Sequence, residues 1–390
     1  MDKSALTAAI REEAARLGFF RMGVARAGLL PGSERLDRWL REGMHGEMRY
    51  MARQAAKRKD PDLVLPDVRS IITLAAGYYA GAGPEADATA ARISRYAAGG
   101  DYHHVLEKRL RELAEHITGL LPEAGVRTYV DTGPVMEKSW GAEGGLGWVG
   151  KHSNLIIRQQ GSWFLIGTIL LAAELDYGTR EPDRCGTCRR CITACPTGAI
   201  VQPYVVDARL CISYLTIELR GSIPRALRPL IGNRVFGCDD CQDVCPWNQF
   251  TVRTPFGEFL PREGIGATPL LSLIQLTAEQ FRLRFAGTAI LRAGRDGFVR
   301  NVAVALGNSR SLHAVDALAI SVRDESALVR AHAAWALGRI GGAAARNILA
   351  DAFAAEDARE VREEIELALA AANAPGLNLP ERPRRGEHAD

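Results

Sequence analysis

The sequence predicts an α+β protein built from three successive regions and a disordered tail. Helical and strand-like apolar patterns alternate up to about residue 174, all eight cysteines lie within residues 185–245, and a helical pattern recurs at roughly 30-residue offsets from Val299 onward. At 390 residues the chain is too long for one ordinary core. We therefore expect an α/β region at 1–174, a cysteine-rich domain at 175–255, a helical repeat domain at 256–374 and a tail at 375–390.

The first region reads as helices and strands that form one layered sheet. Helical spacing is predicted over residues 4–17, 36–51 and 105–121, and short buried strands over 18–26, 70–78, 126–130 and 162–171. The run at 70–78 is nearly all apolar, which is typical of a central strand. A glycine-rich loop at 143–154 would let the backbone approach a large flat ligand, although it lacks the G-x-G-x-x-G pattern of dinucleotide sites.

Composition excludes several protein classes. Hydrophobic residues make up 47% of the chain, and no apolar run approaches the roughly 20 residues that a membrane-spanning helix needs. No secretory signal opens the sequence, so we expect a cytoplasmic protein that does not enter the membrane. A net charge of +3 is too small to indicate nucleic-acid binding by itself, so any basic surface must be local.

The cysteines have the spacing of a two-cluster bacterial ferredoxin. The first run is C-x2-C-x2-C-x3-C-P, in which three thiolates hold one [4Fe-4S] cluster and the fourth reaches a second cluster. The second run lacks its leading cysteine, and Cys211 fills that place. One predicted ligand set is Cys185, Cys188, Cys191 and Cys245. The other is Cys195, Cys211, Cys238 and Cys241, so no thiol is left over and the domain carries single electrons.

Two ordinary explanations of the cysteines are weaker. Disulfides need an oxidising compartment, and C-x2-C spacings are too tight for ordinary bridges. Two four-thiolate zinc sites would also use eight cysteines, but zinc gives no reason for the proline after Cys195 and Cys245.

These features together resemble a known enzyme family. The Val130-Asp131-Thr-Gly-Pro134 turn, the loop from Gly144 to Asn154 and the cysteine module ending in Cys245-Pro-Trp-Asn248 closely resemble epoxyqueuosine reductases over residues 20–308. The resemblance implies an N-terminal cobalamin-binding region, a two-cluster ferredoxin-like domain and a C-terminal HEAT-like repeat. It also implies the substrate, epoxyqueuosine at the wobble position of tRNAs with GUN anticodons, and the product, queuosine.

The resemblance further implies a mechanism and its residues. Converting an epoxide to an alkene and water takes two electrons and two protons, and the family uses cobalamin in its Co(I) state, refilled by the clusters. Asp131 is the expected proton donor, against the ordinary reading of an Asp that caps its turn. A buried carboxyl group with a raised pKa is suited to donate this proton. The expected cobalamin contacts are Arg58, Ser94, Asp131, Lys151, Asn154 and Ser213.

The repeat region adds an expected partner. The motif Val299-Arg300 to Gly307 recurs as Val329-Arg330 to Gly338 and more loosely from Val361, as in stacked HEAT-like helix pairs. An excess of arginine over acid near residues 281–300 is as typical of internal ion pairs as of phosphate binding. With a tRNA substrate implied (the tRNAs for Tyr, His, Asp and Asn), we expect phosphate contacts from Arg284, Arg292 and Arg295, a monomer, and an unidentified electron donor.

Other functions stay open on the sequence. A reductive-dehalogenase-like corrinoid enzyme is the rival within redox chemistry, but those enzymes usually carry a twin-arginine signal and lack the repeat. A ferredoxin-type electron carrier would have clusters without a corrinoid. A tRNA-binding protein with structural clusters would bind without turnover.

Overall fold

The computed structural model describes residues 2–81 and 87–373. The predicted tail at 375–390 lies outside this part of the chain. The strands are β1 (Arg21–Arg26), β2 (Ser70–Gly77), β3 (Arg92–Ile93), β4 (Val126–Tyr129), β5 (Trp148–Val149), β6 (Leu155–Ile156), β7 (Phe164–Leu171), β8 (Ile200–Gln202), β9 (Val205–Val206) and β10 (Arg234–Phe236).

The α-helices follow the order of the three predicted regions. They are α1 (Lys3–Arg16), α2 (Glu34–Arg41), α3 (Arg49–Arg53), α4 (Ala55–Lys59), α5 (Tyr102–Leu120), α6 (Glu137–Glu143), α7 (Arg190–Ala194), α8 (Ile212–Ile217), α9 (Arg228–Ile231), α10 (Asp240–Asp243), α11 (Ala278–Arg284), α12 (Gly294–Ser309), α13 (Val315–Ser321), α14 (Ala327–Ile340), α15 (Gly342–Ala355) and α16 (Arg359–Asn373). In the described residues, no helix is long and apolar enough to cross a membrane.

A four-stranded antiparallel sheet is the core of the first region. Its order is β1-β2-β7-β4, which confirms that the apolar run at 70–78 is central. Because side chains alternate across a strand, Ile72 and Leu74 face α1 and α5 while Ile71 and Ala75 face the α6 side. The sheet is therefore covered on both faces, and its loops lead toward the cysteine module.

The predicted helix over 36–51 is wrong in its continuity. The chain forms α2, then turns through residues 42–48 before α3 begins. Gly43 and Gly46 take φ angles of 65° and 57°, which end a right-handed helix. Tyr214 explains why this turn is needed, since its hydroxyl accepts the backbone N–H of Glu47 at 2.7 Å and packs directly against Gly46.

The glycine-rich loop packs against protein rather than presenting backbone to a flat ligand. Gly144 accepts the Val24 N–H at 3.1 Å, and a Cβ on Gly144 would lie 2.9 Å from the Val24 backbone. A Cβ on Gly147 would lie 2.1 Å from the carbonyl oxygen of Ile156. These glycines therefore allow close packing onto β1 and β6, which corrects our reading of the loop.

The C-terminal helices stack as the repeat predicts. Helices α12, α14 and α16 pack in succession, and each recurring Ala-Leu-Gly segment lies at a contact. A Cβ on Gly307 would lie 2.9 Å from the Cα of Ala336, and one on Gly338 would lie 2.7 Å from the Cα of Ala368. The repeated glycine lets neighbouring helices approach closely.

Arg300 joins the repeat to the cysteine module. Only 1% of it is exposed, and its guanidinium donates to the carbonyl oxygens of Leu215, Leu219 and Gly221 at 2.6–2.9 Å. Burial, and then the nearby charge of Arg220, lower the pKa of Arg300 to about 10, so it stays charged at neutral pH. This cation is structural, unlike the exposed Arg284 at the end of α11.

We expect Arg300→Met to lower the free energy of unfolding by about 3 kcal/mol or more, because buried carbonyl oxygens lose their donors at about 1–3 kcal/mol each. Arg284→Met is the matched control, since Arg284 makes one long bond of 3.3 Å to Gly264 and should change stability by less than about 0.5 kcal/mol. Urea unfolding of both variants measures this difference. Equal stabilities would show that α12 is held by apolar packing alone.

Candidate active site

The first predicted cysteine set lines a single cavity. The thiols of Cys185, Cys188, Cys191 and Cys245 surround about 370 Å³, although Cys245 is distant in sequence. Helix α7 carries Cys191, and the turn after α10 brings Cys245 opposite it. Trp148 and Trp247 cover the cavity with apolar surface. A cavity of this size with four thiols fits a [4Fe-4S] cluster.

The second predicted set also comes together. The pKa of Cys241 is raised, first by burial and then by the charges of Cys238, Cys211 and Cys195. The charge of Cys191, a member of the first set, also raises the pKa of Cys241, so the two sets lie close to each other. At Cys211, the backbone N–H groups of Tyr214 and Ser213 donate to the sulfur. The structure thus brings each predicted set together and places Ser213 at the second one.

Two predicted cofactor contacts instead support the cysteine loops. The ammonium of Lys151 donates to the carbonyl oxygens of Gly186 and Cys188, at 2.5 and 2.9 Å. The hydroxyl of Ser94 donates to the carboxylate of Asp239, the residue after Cys238. Both polar groups are already bonded within the protein, which argues against them as corrinoid contacts.

Asp131 lies at the centre of a polar network at the end of β4. Its carboxylate accepts the Tyr102 hydroxyl at 2.7 Å, and the same oxygen lies 3.7 Å from Nε2 of His103 and 3.6 Å from Arg292. Nδ1 of His103 lies 2.7 Å from Asp101, the residue that caps α5. The Asp131 backbone has a φ of 59°, in the left-handed region that Asp and Asn tolerate.

The charges of this network are set by its contacts. Desolvation raises the pKa of Asp131, but hydrogen bonds from His103 and Tyr102 and the charge of Arg292 outweigh it and hold the pKa well below its usual range. The expected raised pKa is therefore wrong for Asp131. Burial lowers the pKa of His103, but the two carboxylates, Asp101 and Asp131, have a larger and opposite effect. The pKa of His103 is therefore above its usual value. These contacts favour the protonated form of His103 and the ionised form of Asp131.

Asp131 opens onto a recess whose other wall begins α6. Its side chain is 60% exposed yet desolvated, which places it on the wall of an open recess rather than on a convex surface. Lys138 is also exposed. Burial lowers its pKa, and the negative charges of Asp131, Glu137, Cys241 and Cys211 act against that effect, so Lys138 lies near both Asp131 and the second cysteine set. The recess therefore extends from Asp131 toward that set.

Glu137 and Arg58 place unbonded polar atoms at this recess. Oε1 of Glu137 and Nε of Arg58 are buried and find no partner in the described parts of the chain. Desolvation, and then the charge of Asp131, raise the pKa of Glu137 to about 8. Beside them, Lys138 donates to the side-chain oxygen of Asn154 at 2.8 Å. The recess thus holds one ionised carboxylate and one neutral carboxyl at pH 7.

Sequence comparisons identify the family. The model for epoxyqueuosine reductase QueG matches residues 58–132, a 4Fe-4S double cluster binding domain matches 184–248, and HEAT repeats match 288–370. An epoxyqueuosine reductase from Pseudomonas aeruginosa is 42% identical over 346 residues, covering 87% of this chain and 96% of that protein. The chain belongs to the epoxyqueuosine reductase family. A relative from Escherichia coli is 40% identical over 87% of this chain and 90% of its own length.

Solved structures of epoxyqueuosine reductases have the same fold. One, bound to an epoxyqueuosine-modified stem loop of tRNA-Tyr, matches with a TM-score of 0.88 at 28% identity, over 95% of this chain and 99% of that one. Another, from Bacillus subtilis, has an aspartate-bearing catalytic loop swung out of the active site, with a TM-score of 0.87 at 27% identity over 94% and 99% of the chains. The predicted fold class and enzyme class, an oxidoreductase, are confirmed.

The arginines predicted to bind tRNA lie in different surroundings. Arg284 is exposed, but Arg295 forms a double ion pair with Asp324, which argues against it as a phosphate contact. Arg292 lies in the Asp131 network, with Nη2 2.5 Å from Nε2 of His103. Arg228 and Arg234 are buried in ion pairs. Most of the arginine excess therefore serves internal pairing, the alternative that the sequence left open.

Several site residues were not predicted. Glu137 and Lys138 were given no role by the sequence, and Arg292 was assigned to tRNA rather than to Asp131. The available signal was weak: Glu137 and Lys138 follow the Asp131 turn within seven residues, as α6 begins. Nothing in the sequence indicates that Arg292 reaches back across 161 positions to Asp131.

The raised pKa of Glu137 predicts a pH-dependent stability. The folded chain keeps a proton that the unfolded chain releases near 4.5, so the free energy of unfolding should fall as pH rises from about 4.5 to about 8. Glu137→Gln removes the ionisable group and should flatten this dependence in thermal melts of the cofactor-free protein between pH 6 and pH 8.5. Glu123→Gln, an exposed loop change, should leave the parental slope intact. A Glu137→Gln slope equal to the parent's would show that Glu137 is ionised.

Proposed function

We propose that the chain reduces epoxyqueuosine to queuosine at the wobble position of tRNAs with GUN anticodons, using cobalamin fed by two [4Fe-4S] clusters. Family membership supports the reductase activity, and the stem loop bound by a relative supports a tRNA substrate. The observation that carries the proposal is the recess that extends from Asp131 toward the second cysteine set. This recess adjoins both the Asp131 network, which can transfer protons, and the cysteine sets, whose clusters can transfer electrons.

The residues of the recess fit a corrinoid. Corrins carry peripheral carboxamides, each with a donor and an acceptor, and Arg58 offers an unbonded N–H while neutral Glu137 offers a carboxyl group. Asn154 is positioned at the same wall by Lys138. Cobalamin, when bound, supplies a two-electron cobalt(I) nucleophile for the epoxide. Arg58, Asn154 and Ser213 remain our candidate contacts, and Glu137 and Lys138 join them.

The protein's own contribution to the reaction is proton delivery. The oxygen that leaves the epoxide becomes strongly basic, so a positioned proton lowers the barrier. In this proposal His103 supplies that proton, because its Nε2 lies 3.7 Å from Asp131 and the carboxylates of Asp101 and Asp131 raise its pKa. A proton passed from His103 to Asp131 makes Asp131 the acid that faces the recess. Tyr102 and Arg292 orient the carboxylate and favour its return to the ionised form.

The turn at Asp131 is a candidate for a loop that changes position. A relative's aspartate-bearing catalytic loop can swing out of its active site. We propose the turn that begins at Asp131 as the counterpart here, since its side-chain contacts come from α5 and Arg292. Substrate access then breaks only those contacts.

Asp131→Asn should abolish most turnover without disturbing the fold. Asn tolerates the left-handed backbone and keeps the size of the side chain but has no acidic proton, so we expect a loss of about 10²–10⁴-fold. The assay is mass analysis of tRNA nucleosides after anaerobic reconstitution with iron, sulfide and cobalamin, using a chemical reductant so that electron supply does not limit the rate. Asp131→Gly is the matched backbone control and should be equally inactive. Near-parental conversion by Asp131→Asn would reduce Asp131 to a turn residue.

The two cysteine sets predict separable clusters. The parent should contain about eight iron and eight sulfide per chain. Cys211→Ser should lose about four of each from the second cluster, while Cys188→Ser should lose the first instead, as iron analysis and electron paramagnetic resonance would record. Two bound zinc ions without sulfide would contradict the assignment, and so would an unchanged iron content in Cys211→Ser.

A further inference from the structure

The first cysteine cavity reaches the molecular surface. Its lining includes Arg184, Gln249 and Phe250, all exposed. A larger groove of about 860 Å³ lies beside it and shares Arg190, Cys245 and Pro246 with the cavity. A cluster held by this set is therefore accessible from outside the protein.

The second cysteine set lies near the recess. Cys211 and Cys241 lie close enough to Lys138, on the recess wall, for their charges to act on it. Cys191 of the first set lies close to Cys241. The two sets thus form a path with an outer end at the groove and an inner end at the recess. Electrons that arrive one at a time enter at the outer end.

The rim shared by the groove and the cysteine cavity carries unpaired positive charge. Arg189 and Arg190 line the groove, and Arg184 lines the adjoining cavity. All three are exposed, and none of them forms an ion pair with the residues that the structure describes. By contrast, Arg95 on the groove floor is fixed by Asp243 at 2.6 Å and lies over the Trp163 ring at 4.7 Å. Arg95 is therefore held within the protein, whereas the arginines of the rim are available to pair with a partner.

Apolar surface adjoins this rim. Phe250 and Val252 are 46% and 64% exposed, just beyond the Cys245-Pro246 turn. Protein interfaces commonly combine an aromatic centre with charged residues at the rim, where charge sets the association rate. A nucleic acid would need neither this apolar surface nor closeness to the outer cysteine set.

We propose that this groove docks an acidic, low-potential one-electron carrier protein, which is the electron donor of the enzyme. This proposal rests on the proposed function, because a reductase needs a source of electrons. Each encounter oxidises the carrier by one electron and reduces the outer cluster by one. Two encounters supply the two electrons that, with two protons, convert one epoxide to an alkene and water.

Charge reversal at the rim tests the docking. The probe is an acidic [2Fe-2S] ferredoxin, and the variants are Arg189→Glu and the double variant Arg184→Glu/Arg189→Glu. At low ionic strength, binding of oxidised ferredoxin, measured by calorimetry, should weaken about tenfold or more in the double variant. The rate at which reduced ferredoxin bleaches the clusters should fall by a similar factor, and about 0.5 M salt should remove the difference.

Three controls separate docking from damage to the cluster. Arg189→Lys keeps the charge and should bind like the parent. Arg11→Glu/Arg323→Glu, at exposed positions elsewhere, makes the same change in net charge and should have little effect. Iron content and the bleaching rate with dithionite should be unchanged in every variant.

The outcomes distinguish this proposal from the proposed function. Equal ferredoxin binding in the parent and the double variant, or no measurable binding to the parent, overturns the docking site while dithionite-driven turnover still reports the reductase activity. Loss of tRNA affinity in the double variant with ferredoxin binding retained assigns the rim to nucleic acid instead and likewise overturns it. If the parent shows no dithionite-driven turnover, the proposed function is contradicted, whereas the docking site is still decided by ferredoxin binding.

Discussion

The interleaving of the two cysteine sets constrains the rest of the molecule. Each set takes three members from one part of the chain and one from another, so neither site exists until residues 185–195 and 211–245 have met. Helices α7 and α10 pack together at this meeting point. Cys211 brings α8 with it, and Arg300 of the repeat clamps the end of α8 and the turn that follows. The HEAT-like helices therefore support the inner cysteine set as well as one another.

The recess holds two carboxyl groups in opposite protonation states. Asp131 is ionised because a phenol, an imidazole and a guanidinium surround it, whereas Glu137 is neutral because it is desolvated near that negative charge. Each state depends in part on the other, since the charge of Asp131 raises the pKa of Glu137. A change in the protonation of Asp131 is thus felt across the recess.

Features with a strong local signal were predicted well. The strand at 70–78 depends on one short apolar run, and the helical repeat and the cysteine module depend on short motifs that recur along the chain. The central strand, the stacked helices and the first cysteine set have the predicted structure. The break after α2 was missed because it is fixed by Tyr214, far along the chain. Side-chain partners could not be predicted for the same reason: Lys151 and Ser94 are bonded to distant cysteine loops, and Arg292 is distant in sequence from Asp131. Residue type shows what a group can bind, but only the fold determines which partner it meets.

One short pairing binds the two halves of the site. Strand β3, within the N-terminal region, runs parallel to β10, which leads directly into Cys238, and Ser94 packs against Gly237 between them. The segment from 92 to 94 is therefore part of the cysteine module in space. In sequence it belongs to the region of the sheet, and Ser94 precedes Cys185 by 91 residues. A cut at the sequence boundary near residue 174 would leave the inner cysteine loop without the strand that shapes it. The cysteine module and the region of the sheet are therefore joined by backbone pairing as well as by side-chain contacts.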